Sequence, residues 1–158
     1  MKKKSIGEPK IYLGGRLRKV VLPNQQEAWD FGSAQYVKAA VKNVEEYLHK
    51  QRKNLLACAS TPLSPDYHPE VDITEELDPE FASYFQSLIK IFHWMVELGQ
   101  VDICCEVSMM SSYLALPRCG HLEELFHVFA YLRKNHNAEM VFDPSVLDID
   151  MEDFEHKD

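Results

Sequence analysis

The sequence predicts an α+β fold: an N-terminal β-hairpin plus a helix, then a mostly helical three-helix unit with a short terminal strand. Three observations carry this. The stretch from residue 10 to 31 is rich in Val, Ile, Leu and Tyr and is punctuated by Gly-Gly and Pro-Asn turn signals. Beyond residue 33 the apolar residues recur at helical spacing in separate stretches. Apolar residues make up 46% of the 158, enough to form a buried core and too many for a disordered chain.

The elements follow in order. KIYLGGRLRKVVLP reads as a strand with a bend at Gly14-Gly15. Pro23-Asn24 turns the chain, and EAWDF returns as the second strand of the hairpin. Ser33 is placed to cap the first helix. Tyr36, Val37, Ala40, Val41, Val44, Tyr47 and Leu48 form its apolar stripe, and Lys38, Lys42, Arg52 and Lys53 lie off it. Residues 58–80 carry four prolines and seven acids, so the chain is extended and irregular there. Asp78 caps a second helix with Pro79 at its first position. Phe81, Tyr84, Phe85, Leu88, Ile89, Phe92, Met95 and Val96 make its stripe, and Gly99 stops it. A third helix is expected from a cap at Asp102 to about Ala115, ended by Pro117, and a fourth from about Gly120 to Asn135. AEMVF is a short strand. The chain thus divides into 1–57 (hairpin and basic helix), 58–78 (Pro-rich acidic linker), 79–142 (helical unit) and 143–158 (acidic tail).

Charge is unevenly placed. The net charge is −8, yet residues 1–53 hold 12 Lys and Arg against 5 Asp and Glu, and the rest of the chain is acidic. Any contact with a polyanion is therefore expected at the N-terminal end. The bland reading, a solvated face of lysines, stays open beside it. No apolar run approaches the roughly 18–20 residues of a membrane span. The basic start has no apolar core segment after it and does not read as a secretory signal. Four cysteines without regular spacing suit a reducing, intracellular setting, cytoplasmic or nuclear.

Chemical centres are hard to build from these residues. Cys104 and Cys105 are adjacent and point about 100° apart on a helix, so they do not readily share an ion. Cys119 and His121 lack a second ligand pair. A Cys–His nucleophile lacks its third orienting group. Ile103, Val107, Met110 and Leu114 form a stripe, and packing is the expected role of Cys104, Met110, Leu125 and Phe129. His121 is expected as a boundary residue bonded to a carbonyl or to the preceding helix. The carboxylate pairs Glu75/Glu76, Glu123/Glu124 and Asp148/Asp150 sit in acidic stretches or a first helical turn. No catalytic residue and no metal ligand is assigned.

An ordered series of motifs adds a resemblance. Ser60–Leu63 reads STPL. Tyr84 with Ser87–Ile89, Trp94, Val101–Ile103 (VDI), Val107 with Met109–Tyr113 (MMSSY), Pro117, His121 and Tyr131–Lys134 (YLRK) follow. Upstream stand Tyr12–Leu17 (YLGGRL) and Ser33–Leu48. Over roughly residues 11–142 this resembles the region after the catalytic palm in copia-type long-terminal-repeat retrotransposon polyproteins. Each motif is weak alone; their order and spacing carry the likeness. The resemblance implies a piece of a reverse transcriptase, an RNA-directed DNA polymerase. Residues 11–31 would close the palm, residues 33–53 would be a thumb-like helix, and residues 79–136 would connect towards a ribonuclease H domain.

On that reading residues 10–53 contact an RNA–DNA or DNA duplex. Arg16, Arg18 and Lys19 on the hairpin and Lys38 and Lys42 on the helix are the phosphate-binding candidates. The palm and ribonuclease H domains would be partners. The chain departs from the family pattern at Lys90, Gln100-Val101 and Ser112, which stand where Gly, Arg-Pro and Arg are usual. It also contains no Tyr-Val-Asp-Asp. In the family that aspartate pair holds the catalytic magnesium ions and lies upstream of the Tyr12 strand, so this chain alone is expected to be inactive. The alternative from another class is a small helical protein-interaction module that does not bind nucleic acid.

Overall fold

A computed structural model describes residues 10–144. The lysine-rich start and nearly all of the acidic tail expected over 143–158 lie outside the described residues. The architecture is α+β. Strands β1 (Ile11–Tyr12), β2 (Gly15–Val21), β3 (Glu27–Gly32) and β4 (Glu139–Phe142) form one antiparallel sheet in the order β1-β2-β3-β4. Helices α1 (Ala34–Lys50), α2 (Pro79–Glu97), α3 (Cys104–Ser111) and α4 (Cys119–Lys134) lie between β3 and β4.

The expected hairpin is present, with one more reversal than the sequence suggested. At Leu13-Gly14 the chain turns back fully instead of bending. Both residues have positive φ (49° and 92°), and Tyr12 pairs with Gly15. Two central residues with φ > 0 make the tight turn whose twist matches antiparallel strands. Leucine is an unusual occupant of such a turn, so the reversal carries little local signal. The second turn has Pro23 and Asn24 at its centre and Gln25 at φ 67°. Asn24 Oδ1 accepts from Gln26 N at 3.0 Å.

Helix α1 buries Val37, Ala40, Val41, Val44 and Leu48. Helix α2 buries Phe85, Leu88, Ile89, Phe92 and Met95. Both faces are the predicted stripes. Asp78 accepts from the backbone N–H of Glu80 and Phe81 at 3.0 Å each, with Pro79 in the first turn as predicted. Gly99, at φ 100°, ends α2 in the left-handed conformation that glycine adopts at no steric cost. Ser33 precedes α1 but makes no capping bond; it is fully buried, with φ and ψ unsuited to a cap.

The third helix is shorter than expected. Val101–Ile103 form a 3-10 turn, and α3 follows it. Asp102 does not cap; its carboxylate accepts from Gln100 Nε2 at 2.7 Å and from the Tyr131 hydroxyl at 2.9 Å. Ile103, Val107 and Met110 take the buried side, and Met110, Leu125 and Phe129 are core as expected. Cys104 is not: it is exposed, because the next residue along a helix points about 100° away from buried Ile103.

One apolar cluster joins α1, α2, α3 and α4. Leu55 and Ala59 belong to it, and Leu63, Tyr67 and Leu77 pack on its margin. The Pro-rich segment therefore lies against the helices rather than tethering two separate cores. Tyr84 stacks on Tyr47 with centroids 4.0 Å apart. Burial, and secondarily Tyr47, raises the Tyr84 phenol above its ordinary value. Burial also raises Tyr67, helped by Asp72, and it pushes Tyr131 up to about 12, helped by Asp102.

These groups stay neutral in the folded chain at pH values where the unfolded chain would ionise them. Their contribution to stability is full below about pH 10 and is lost as pH rises towards 12 and beyond. An absorbance titration at 295 nm is expected to show these tyrosines ionising late, together with unfolding. If all the phenols titrate together near pH 10 with the fold intact, the packing of these rings is wrong.

Candidate nucleic-acid interface

The hairpin, the start of α1 and the segment before β4 enclose a groove of about 420 Å³. Lys10 and Arg16 reach it from the hairpin, Lys38 from α1, and Glu139 from β4. Gly14, Gly15 and Gly32 line it as well; Gly15 is packed against the Phe31 ring and Gly32 against the Glu139 side chain, and Gly14 alone faces open space. One turn along α1, a smaller groove of about 200 Å³ joins Lys38 and Lys42 to Glu45, Arg133 and His136.

Of the predicted cations, Arg16 and Lys38 meet at the first groove, and Lys42 extends the same face. Arg16 Nη2 is 3.0 Å from Glu139 Oε1. Arg18 donates through Nε to Asp30 and through Nη2 to Glu139 Oε2 at 2.6 Å. Asp30 is buried, and its hydrogen bond and charge, ahead of those of Glu139, raise Arg18 above its already high value. Arg18 is thus engaged across the sheet. Lys19 lies on the opposite sheet face, paired with Trp29 in register, its ammonium 5.6 Å from the indole centroid and 3.9 Å from Glu27. It does not join the groove. Lys42 is exposed and 3.8 Å from Glu46, a surface pair that contributes little. Lys38 has no ion partner among the described residues.

Lys10 was not singled out among the sequence candidates, nor was Glu139 foreseen as the counter-ion. Lys10 had a weak signal, its place in the basic third. Glu139 had none, since it stands 123 residues from Arg16.

His121 and His127 make hydrogen bonds that hold the fold together. The Arg118 backbone N–H donates to His121 Nδ1 at 3.0 Å, so the ring proton sits on Nε2, 3.1 Å from the Pro69 carbonyl. His121 bonds a carbonyl as expected but is fully buried rather than at the boundary. Three residues on, Glu124 accepts from Ser64 N and Oγ at 2.9 and 2.8 Å. His127 follows, with Nδ1 3.1 Å from Ser64 Oγ and Nε2 3.1 Å from the Thr61 carbonyl. Arg133 donates to the Leu56 and Ala57 carbonyls at 2.6 Å. One face of α4 thereby straps the Pro-rich segment to the helices.

Among the described residues no group of three or more His, Cys, Asp and Glu side chains is placed to hold a metal ion. The magnesium that the resemblance implies for a parent polymerase therefore has no fitting donor set here. Among the described residues no helix is long and apolar enough to cross a membrane.

The fold and the groove define the chain as an α+β unit with a basic cleft between a hairpin and a helix. No family model, no curated protein and no solved structure matches it.

Proposed function

We propose that this chain is part of a copia-type reverse transcriptase polyprotein, and that it grips primer–template nucleic acid without carrying catalytic residues. The observation that supports this best is the convergence of Lys10, Arg16 and Lys38 on one glycine-lined groove, with Lys42 on the adjoining turn. Cations around a concave surface suit the phosphates of a nucleic-acid strand, which position a complex without reading sequence. Arg16 is already paired with Glu139, so Lys38 and Lys42 are the principal contacts. The order of motifs supports the family reading, and the missing aspartate pair makes the role a binding one.

Fluorescence anisotropy with a labelled RNA–DNA hybrid tests this. Affinity is expected to fall steeply with salt. In Lys38→Glu/Lys42→Glu the slope of log K against log salt is expected to shrink by about 2, since each phosphate contact contributes about 0.9. If the wild-type chain shows no binding at low salt, the interaction-module reading replaces this one.

A further inference from the structure

We infer that the open edge of β4, with the apolar groove beside it, is a docking site for an extended peptide strand that carries apolar side chains at alternate positions and a Lys or Arg near one end. This is independent of nucleic-acid binding and uses the other face of the sheet.

Strand β4 pairs with β3 on one side, and no described strand pairs with its other side. An edge of this kind presents unpaired backbone N–H and C=O groups, a template for one more strand. The register then decides which side chains matter. Met140 lies opposite Phe31, and Phe142 lies opposite Trp29. Leu17 also lies opposite Phe31, so Leu17, Phe31, Met140 and Phe142 share one face. That face and the end of α2 enclose a groove of about 360 Å³, closed by Trp94 and Leu98. Phe142 remains 53% exposed and Trp94 38%, a contiguous apolar surface with no cover among the described residues.

Added strands gain affinity from main-chain hydrogen bonds and specificity from every second side chain. Apolar residues at alternate positions would fall beside Met140 and Phe142 and enter the groove. The intervening positions would fall beside Glu139 and Val141 on the opposite face. There Arg16 and Arg18 already neutralise Glu139, so small polar residues fit. Glu97 is the one charged residue among those lining the groove, and it has no ion partner among the described residues. Its charge calls for a cation on the incoming strand.

The test uses the whole chain and a synthetic probe, acetyl-KTITVTF-amide. Its control, acetyl-TTIVFTK-amide, has the same composition with the apolar residues contiguous. Calorimetry is expected to show saturable one-to-one binding of the first peptide. Hydrogen exchange is expected to show slower amides in Glu139–Phe142. Phe142→Asp is expected to weaken binding more than tenfold and Glu97→Gln several-fold. Val141→Asp, on the opposite face, is expected to leave it within about twofold; circular dichroism checks the fold of each variant. Three results overturn the proposal: no binding at millimolar probe, equal binding of both peptides, or a concentration-dependent dimer that Phe142→Asp dissolves, which would assign the edge to a second copy.

Discussion

Phe129→Ala is expected to lower the folding stability of this chain by about 3–5 kcal/mol, the range for removing a large ring from a core that cannot collapse around the gap. Phe129 is fully buried on α4, with its ring centroid 4.5 Å from that of Phe92 on α2. The contact joins two helices, so the loss falls on the tertiary core and not on one helix alone. Domains are stable by only about 5–15 kcal/mol, so the variant should be marginal or unfolded at room temperature. A urea titration measures it. Phe129→Leu keeps most of the volume and is expected to lose less than half as much. A loss below about 1 kcal/mol for the alanine variant would falsify the shared core of α2 and α4.

His121→Ala is expected to cost about 3 kcal/mol by a different mechanism. It leaves the buried Pro69 carbonyl and the part-buried Arg118 N–H without their partner, at roughly 1–3 kcal/mol for an orphaned buried group and less for the part-buried one. It also removes a ring packed 4.2 Å from that of Tyr113. Part of the response should be local. The strap from residue 61 to 77 is expected to become protease-sensitive before the helices melt, because α1, α2 and α4 keep their own contacts.

The same strap carries an acid sensitivity. Burial raises Asp72, but hydrogen bonds from Thr74 and the Tyr67 hydroxyl outweigh it and hold the carboxyl below its ordinary value. Its contribution is therefore present above about pH 4, where the unfolded carboxyl is ionised, and is lost as pH falls through the lower folded value. In Asp72→Asn that part of the acid dependence should vanish. Equal acid sensitivity in wild type and variant would place the effect on other carboxylates.

These two residues also show how much could be read in advance. Phe129 was legible as core because a stripe at helical spacing is a local signal: the residues that make it are three or four apart. His121 was legible as a residue that bonds a carbonyl, but not as a buried one. Its partner lies 52 residues away in a segment whose prolines and acids announce irregular chain and nothing about where that chain rests. The basic third pointed to one end of the molecule. It did not separate Arg16 and Lys38, which share a groove, from Lys19, which period-2 alternation places on the other sheet face.

By itself the sequence determined the α+β class, the stripes of α1 and α2, the Asp78-Pro79 start and the Gly99 stop. Each is a matter of neighbouring residues: a period, a side chain reaching the next amides, a backbone angle. Tertiary structure alone decided that β4 closes on β3, that Glu139 meets Arg16 and Arg18, and that Lys10 and Lys38 line one groove. It also decided which face of α4 carries the strap. Those pairings join chain segments separated by far more than a helical turn, and contacts at such range leave no periodic mark in the order of the residues.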